Sequence, residues 1–408
     1  MTHDSFSIRA ISPLFIAISF LALGYGMIFT YIGVHLKDLG VSNTSIGIIN
    51  ASFYLGSILS SLLSQKIITN VGHIRSFATF ASMMVVAFLM HAIFFSEVLW
   101  AFLRFFSGFA FYGLLIIIES WLNEKSSPKS RGTVLAIYSI TFYLSTAIGQ
   151  LFLNLGEALR LHLFAIGSVL ILCSVIIISL TKIKEPVLKP FERYSFPKIY
   201  SIVPLAVTGS FLGGILVGGF FTMFPIYILT RFDSVEVVSY FMLITLCGGL
   251  ISQWPLGKLS DRYGRRKVIS LSAFFTAGSS LLFIFSSSSP MLTYGCGFLL
   301  GITIFSLYPL SVARANDVVD ENKDIVEISR TLLFTYGIGS FLSPLVIGIL
   351  STYFENSMFV LFFLLNIFLA FYALSKKRIA DDDMSEYVNM PVASGAQLPH
   401  LDPRQDLE

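Results

Sequence analysis

Charged residues are scarce in this chain of 408 residues. Asp, Glu, Lys and Arg make up only 12% of it, against roughly 25% in a typical soluble domain. Hydrophobic residues make up 55% and are gathered in long runs. The net charge is only +3, which gives no indication of a nucleic-acid partner. The composition argues against an ordinary soluble protein and predicts an integral membrane protein in contact with the lipid bilayer.

Disulfide pairs, metal-binding clusters and nucleotide-binding motifs are also missing from the sequence. The cysteines Cys173, Cys247 and Cys296 lie far apart inside apolar runs, with neither disulfide nor metal-ligand spacing. The sequences G-x-x-x-x-G-K-[ST] and H-E-x-x-H do not occur, and the six histidines are scattered. We therefore expect no cofactor, no metal and no enzyme activity.

Twelve apolar runs are long enough to cross a membrane as helices, which takes about 20 residues each. Several connections between them are only a few residues long and suit antiparallel neighbours in a compact bundle. The predicted spans cover 11–36, 45–64, 75–95, 99–122, 132–155, 162–180, 202–229, 237–256, 268–285, 291–312, 325–353 and 358–374.

The basic residues predict how the spans are oriented. Of the 27 Lys and Arg residues, 23 lie in segments on the side of the N-terminus, and only Lys37, Arg160 and Arg231 lie on the opposite side. Because loops rich in Lys and Arg stay in the cytoplasm, we expect both termini there. We expect the membrane to be the inner membrane of a bacterial cell.

A weak internal repeat divides the chain into two halves. Gly56 and Gly72 match Gly248 and Gly264 at a common offset of 192 residues, as expected for a duplicated unit of six helices. The fold class is therefore predicted as all-α, with two pseudo-symmetric six-helix bundles. The predicted parts are an N-terminal bundle at 1–180, a cytoplasmic central loop at 181–200, a C-terminal bundle at 201–377 and a disordered cytoplasmic tail at 378–408.

The sequence GKLSDRYGRRK, between the eighth and ninth spans, contains the pattern Gly-x-x-x-Asp-Arg-x-Gly-Arg-Arg. It resembles the signature loop of the major facilitator superfamily. The resemblance implies two bundles that rock around a central cavity, with this loop holding one state through charge contacts. A purely topological interpretation explains the basic residues but not the glycines or the aspartate. The residues to which the resemblance gives this role are Gly257, Asp261, Arg262, Gly264 and Arg265, with Arg314 as a further partner.

The matching segment of the first half, QKIITNVGHIR, departs from this pattern. It keeps Gly72 but has Thr69 in place of Asp261 and His73 in place of Arg265. We therefore expect the loop of the second half to have the stronger effect on conformation. A finer resemblance connects RFFSGFAFYGLLIIIESWLNEKSSPKSRG, GQLF and LYPLSVA to the YcaD-like bacterial subgroup of the superfamily. It implies a fold and a class of action, not a particular substrate.

Two charged residues inside the fourth span are candidates for proton coupling. A charge within the membrane is costly and normally has a partner or a role. Arg104 with Gly108 resembles an arginine motif of proton-coupled members of the superfamily. The alternative is a structural arginine near the outer end of the helix. Glu119 lies about 22 Å further along the same helix and could carry a proton. Alternatively it forms an ion pair at the cytoplasmic rim with Lys125, Arg131 or Arg75.

Further polar side chains interrupt apolar runs and are candidates for contact with substrate. Each lies where its helix could face a central cavity. The alternative is that these residues only pack against a neighbouring helix. The candidates are Asn50 and Tyr54 in the second span, Tyr138 and Gln150 in the fifth, and Gln253 and Trp254 in the eighth.

The sequence favours a secondary active transporter that exports small amphipathic compounds by alternating access, coupled to protons. The Phe-rich spans and the few charges inside them support this hypothesis. We expect a small-molecule substrate, protons as coupling ion and a monomer. Two alternatives stay open: an importer or facilitator of a small organic nutrient, and a membrane receptor or scaffold that transports nothing.

Overall fold

The computed structural model describes residues 8–126, 128–160, 162–181, 202–285, 289–318 and 325–377, and these form an all-helical protein. Twelve helices in this part of the chain are long and apolar enough to span a membrane. The predicted all-α class and the predicted number of spans are confirmed. The predicted tail and all but the first residue of the predicted central loop lie outside the described residues.

The twelve helices α1 to α12 follow the predicted spans. Their bounds are α1 Ile8–Asp38, α2 Asn43–Val71, α3 His73–Ile93, α4 Glu97–Lys125, α5 Pro128–Gln150, α6 Leu163–Leu180, α7 Pro204–Thr222 with Phe224–Phe232, α8 Val235–Tyr263, α9 Arg265–Phe285, α10 Pro290–Ile304 with Leu307–Asn316, α11 Ile325–Leu350 and α12 Ser357–Ser375. Two short helical turns, Leu151–Asn154 and Glu157–Arg160, follow α5.

The interruptions in α7 and α10 were not predicted. The first falls at Met223, two residues before Pro225, and the second at Phe305 and Ser306, shortly before Pro309. Proline has no backbone N–H and its ring crowds the preceding turn, so each proline breaks the hydrogen-bond ladder of the turn before it. In both helices the apolar run continues through the break. Hydrophobicity alone therefore predicts a single uninterrupted helix in each case.

The segment predicted as a charged loop is mostly helix. Gly257 to Tyr263 form the last two turns of α8, and Gly257 is buried within them. Gly264 alone makes the reversal into α9, with φ of +86°, and Gly72 makes the same reversal between α2 and α3 with φ of +92°. Side chains are strained at such φ values. The reversal after α8 is therefore made by Gly264, and Gly257 lies in the helix before it.

The helices pair in the same way in the two halves of the chain. In the first half α2 packs on α4, α1 on α5, and α3 on α6. In the second half α8 packs on α10, α7 on α11, and α9 on α12. Adding six to the helix numbers of each pair in the first half gives a pair of the second half. A duplicated unit of six helices has this property. Between the halves, α2 packs on α11 and α5 on α8.

Glycines bring the paired helices into backbone contact. A methyl group at Gly56 would overlap the carbonyl oxygen of Phe105, and one at Gly108 would overlap that of Phe53, so α2 and α4 touch twice. The counterparts Gly248 and Gly301 make the same kind of contact between α8 and α10. The repeat in the sequence is therefore a repeat of helix packing.

Twelve antiparallel spans place the first and last described residues at the same end of the bundle, here called the terminal end; the opposite end is called the far end. At the far end the two halves meet. The Thr44 hydroxyl lies 3.4 Å from the carbonyl oxygen of Gly348, and the Ser239 hydroxyl donates to the carbonyl of Gln150 at 2.7 Å. These contacts join α2 to α11 and α5 to α8.

Candidate functional site

Arg104 lies in α4 two turns from the far end and is buried, with 1% of its surface exposed. Its Nη2 donates to Asn50 Oδ1 on α2 at 3.1 Å. The guanidinium lies over the rings of Phe29 and Phe53, 4.3 and 4.6 Å from their centroids. Such contacts stabilise a cation away from water. Gly108 lies one turn after Arg104, and its missing side chain lets the backbone of α2 approach α4 at Phe53. This close approach brings Asn50 of α2 within hydrogen-bonding distance of Arg104.

Aromatic rings extend this site toward the second half of the chain. Tyr25 stacks on Phe111 with centroids 3.8 Å apart, and both belong to the first half. Phe221, on α7, meets Phe29 at 5.7 Å and Tyr25 at 6.4 Å. The Arg104 site therefore lies in the wall that the first half presents to the second.

Glu119 lies in the same helix nearer the terminal end and is 2% exposed. Its Oε1 accepts a hydrogen bond from the Tyr138 hydroxyl at 3.1 Å, which brings together two residues that the sequence proposed separately. Among the described side chains none forms an ion pair with Glu119, and Arg75 is exposed on α3. The side chains of Lys125 and Arg131, the other two suggested partners, lie outside the described part of the chain.

Tyrosines from both halves fill the interior around these two charges. Tyr308 and Tyr336, on α10 and α11, approach to 5.0 Å between centroids. Tyr143, on α5, meets Phe305 of the second half at 5.5 Å. Tyr308 is close enough to Glu119 to interact electrostatically with it. These tyrosines were not among the predicted site residues, although Tyr308 occurs in the LYPLSVA segment.

The remaining candidates for substrate contact are placed differently. Tyr54 is buried beside Phe29 and Phe53, next to the Arg104 site. Gln150 is buried, and its Nε2 donates to the carbonyl of Gly26 at 2.9 Å, so it connects α5 to α1. Gln253 is buried, and neither its amide nitrogen nor its amide oxygen has a partner among the described residues.

Trp254 requires a correction, because the structure does not place it in the interior. Its side chain is 65% exposed, beside Ile251 at 63% and on the same face of α8 as Lys258. The Lys258 ammonium lies 3.9 Å from the ring centroid. This face points away from the partner helices, and a Trp with a Lys there suits a membrane interface. The sequence showed an amphipathic ring in an apolar run but not the face on which it lies.

At the terminal end, buried Arg265 connects three helices. Its Nη1 donates to Asp261 Oδ1 and, at 2.5 Å, to Ser260 Oγ, both on α8. Its Nε lies 3.5 Å from Oδ2 of Asp317, just beyond α10. The pairing of Asp261 with Arg265 is a charge contact of the kind that the resemblance implies, and Asp317 is a further partner of Arg265 that the sequence did not indicate. No spacing rule links Asp317 to Arg265, because 52 residues separate them.

The other residues of the signature segment have separate contacts. Arg314 is buried and donates to the carbonyl oxygen of Lys377 at 2.9 Å, beyond the end of α12. Arg262 is exposed and lies against the ring of Tyr263. Both therefore lie at the terminal end, but only Arg314 is buried against another helix.

The corresponding site of the first half contains no carboxylate on its α2 side. The Thr69 hydroxyl donates to the carbonyl of Gln65 in its own helix at 2.8 Å. His73 is buried and hydrogen-bonds Ser120 on α4 at 2.9 Å through Nε2. His73 thus joins α3 to α4 through Ser120, and Thr69 stands where the second half has Asp261.

A cavity of about 850 Å³ lies at the far end, away from the contact between α2 and α11. Its walls come from α1 and the turns after α5 on one side, and from the connection between α7 and α8 on the other. Its charged and titratable lining residues are Tyr31, His35, Asp38, Arg160, Asp233 and Glu236.

Comparison with known proteins connects this arrangement to a family. A family model described as the Major Facilitator Superfamily matches residues 14–246 and 206–385. An uncharacterized MFS-type transporter of Enterobacter sp. (strain 638) is 27% identical over 364 residues, covering 86% of this chain and 92% of the relative. The uncharacterized MFS-type transporter YcaD of Salmonella newport (strain SL254) is 24% identical over 357 residues, with the same coverage of both chains.

Two solved structures have the same arrangement of helices. The nucleoside transporter NupG superposes with a TM-score of 0.72 at 16% identity, over 91% of this chain and 99% of its own. A bacterial homolog of the human lysosomal transporter Spinster, inward-facing and unoccupied, gives a TM-score of 0.71 at 13% identity, over 91% and 98%. Identities this low indicate a shared fold and nothing about substrate.

Proposed function

The chain belongs to the major facilitator superfamily, and from this premise we propose that it exports small amphipathic compounds in exchange for protons. Membership makes it a multi-pass membrane transporter. The proposal adds the coupling ion, the direction and the class of substrate. It also places the protein as a monomer in the bacterial inner membrane, with both termini in the cytoplasm and the bundles at 1–180 and 201–377 moving as bodies.

The observation that carries the proposal is the environment of Glu119. Its carboxyl is buried, accepts one hydrogen bond from Tyr138 and meets no cation among the described side chains. An ionised carboxylate is strongly disfavoured away from water unless it is paired. Opening the interior to solution would let the group release its proton, and closing it would favour the protonated form. Proton binding is thereby linked to the change of state.

The lining of the interior supports an amphipathic substrate. The rings of Tyr25, Phe29, Phe53 and Phe221 surround the polar site at Arg104. Apolar walls with few polar groups are typical of sites for small organic molecules.

Transport into proteoliposomes with an imposed pH gradient tests the coupling. A substrate is first selected by thermal-shift screening, because a ligand stabilises the native state that it binds. We expect the pH gradient to drive its flux and Glu119→Gln to abolish this drive while exchange of substrate without a gradient continues. The matched control is Glu97→Gln in the same helix, where the side chain is exposed. Gradient-driven flux that survives Glu119→Gln would contradict the role of Glu119.

The alternatives give different results in the same assay. An importer coupled to protons accumulates substrate when the gradient points inward, whereas a facilitator equilibrates it without responding to the gradient. A receptor or scaffold binds ligand without flux, although the distances between its two halves still change on binding.

A further inference from the structure

We propose that the site formed by Arg104 and Asn50 selects substrates with a single anionic group, such as a carboxylate or sulfonate, on an aromatic or apolar body. This inference depends on the proposed function, because it names the class of substrate for the same interior. It follows from the hydrogen-bonding groups, the charge and the rings around Arg104.

The buried atoms of the Arg104–Asn50 pair that are left without a partner are both donors. Asn50 Oδ1, the acceptor of the pair, is already bonded to Arg104 Nη2. The remaining buried atoms, Arg104 Nε and Asn50 Nδ2, have no partner among the described residues. Buried polar groups without partners are rare and costly. A guanidinium edge beside an amide N–H₂ matches the oxygens of a carboxylate or sulfonate, and does not match an ammonium group.

Among the described side chains, no carboxylate forms an ion pair with Arg104. Of the three buried arginines in the described chain, Arg265 and Arg314 lie at the terminal end, so Arg104 alone lies deep in the spans. Its contacts are the neutral Asn50 and two aromatic rings. Glu119, the other buried charge of α4, lies about 22 Å away along the helix. An anionic ligand would neutralise Arg104, and one cation matches one negative charge.

The aromatic rings around Arg104 determine which kind of ligand body can carry the anionic group. Phe29 and Phe53 cover the guanidinium, and Phe221 meets Phe29 from the second half. A ligand whose anionic group reaches Arg104 would therefore place its remaining atoms among aromatic rings. An aryl or alkyl body gains from that burial, whereas a polyhydroxylated body would lose hydrogen bonds to water.

The second half offers no equivalent site. At the positions matching Arg104 and Asn50, with offsets of 193 and 192 residues, are Gly297 and Met242. A methyl group at Gly297 would lie 2.6 Å from the side chains of Phe241 and Thr245, so a side chain has no room there. The polar site belongs to one half only, and a bound ligand would have a defined orientation with its anionic group toward the first half.

Equilibrium binding to the purified full-length protein in a neutral detergent tests the inference with probes that differ only in charge. One series is phenylbutyrate, phenylbutanamide and phenylbutylamine, and a second is octanoate, octanamide and octylamine. We expect each carboxylate to bind at least about tenfold more tightly than its amide and amine, and Arg104→Gln to remove this preference. Equal or tighter binding of the amides or amines, or no binding by any probe up to its solubility limit, would overturn the inference.

Asn50→Asp is the sharper variant, because it supplies an internal carboxylate beside Arg104. We expect it to raise the thermal stability, which also verifies folding, and to abolish the preference for carboxylates. Asn154→Asp, an exposed change of the same charge, is the control and should leave the preference intact. A preference that survives Asn50→Asp would refute the inference. Binding at equilibrium needs no gradient, so a failure of anion selection appears in these binding measurements, whereas a failure of proton coupling appears only in the gradient-driven flux.

Discussion

Arg104 and Glu119 are each held by a neutral hydrogen-bond partner from a neighbouring helix. Asn50 on α2 accepts from Arg104, and Tyr138 on α5 donates to Glu119. Neither partner cancels the charge, so both groups keep the capacity to respond to a ligand or a proton. A buried ion pair between them would have fixed both charges and left little to change during a transport cycle.

At the residue scale, Gly108→Ala should disrupt the Arg104 site without touching a charge. The added methyl would overlap the carbonyl oxygen of Phe53 and force α2 away from α4, which carries Asn50 away from Arg104. Overpacking of this kind costs about 1–3 kcal/mol. We expect a lower apparent Tm in detergent and weaker substrate binding. Gly278→Ala, where no atom lies within 4 Å of the added methyl, is the control; equal effects of the two variants would contradict the packing argument.

The sequence predicted much of this site but not its pairings. Polar side chains within an apolar run indicated Asn50 and Tyr54, and the scarcity of charge indicated Arg104 and Glu119. The contacts of Arg104 with Asn50 and of Glu119 with Tyr138 join residues 54 and 19 positions apart. Such contacts depend on how close the helices come, which glycines such as Gly56 determine. Trp254 was misplaced for the same reason, since the face it occupies depends on which helices cover α8.

At the scale of elements, hydrophobicity predicted the existence of every span and misjudged where α8 ends. The apolar run stops at residue 256, whereas the helix continues to Tyr263. The last turns are charged, but their backbone hydrogen bonds continue and only Gly264 ends them. A hydrophobic run corresponds only to the part of a helix that lies in lipid. The helix itself can continue beyond the lipid into water. The breaks at Met223 and Ser306 were missed for the opposite reason, because they lie within apolar sequence.

The carboxylates around Arg265 should matter more to conformation than the threonine of the first half. Asp317 is 1% exposed, and losing its charge leaves a buried arginine less compensated, at a cost of about 3 kcal/mol. Asp261 is 45% exposed, so solvent reduces the cost of Asp261→Asn to about 1 kcal/mol. Thr69 bonds only within its own helix, and Thr69→Ala should have little effect.

The measurement is the distance between spin labels at Lys66 and Lys258, which are exposed at the terminal ends of α2 and α8. We expect Asp317→Asn to broaden the distance distribution most, Asp261→Asn less and Thr69→Ala least. Equal broadening by Asp261→Asn and Thr69→Ala would show that the difference between the two halves has no consequence for the conformational balance.

At the scale of the whole molecule, the halves are held together at the far end by backbone contact between α2 and α11. A methyl group at Gly47 would overlap the carbonyl oxygen of Pro344. Gly47→Ala should therefore push the helices apart and favour an open far end. Spin labels at Leu39 and Tyr353, exposed on opposite halves, should move further apart. Gly295→Ala, which has open space, is the control; an unchanged distance in Gly47→Ala would mean that this contact does not keep the far end closed.

The single cation at Arg104 has an electrical consequence. If each cycle carries one monoanion and one proton, exchange of a proton inward for an anion outward moves two positive charges inward, whereas import of both together moves none. Membrane potential contributes roughly 2.3 kcal/mol per elementary charge for each 100 mV. We expect flux in proteoliposomes at equal pH on both sides to respond to a potassium diffusion potential set by valinomycin. Flux that is indifferent to voltage would instead assign the protein to import, and the current would thus reveal the direction of transport.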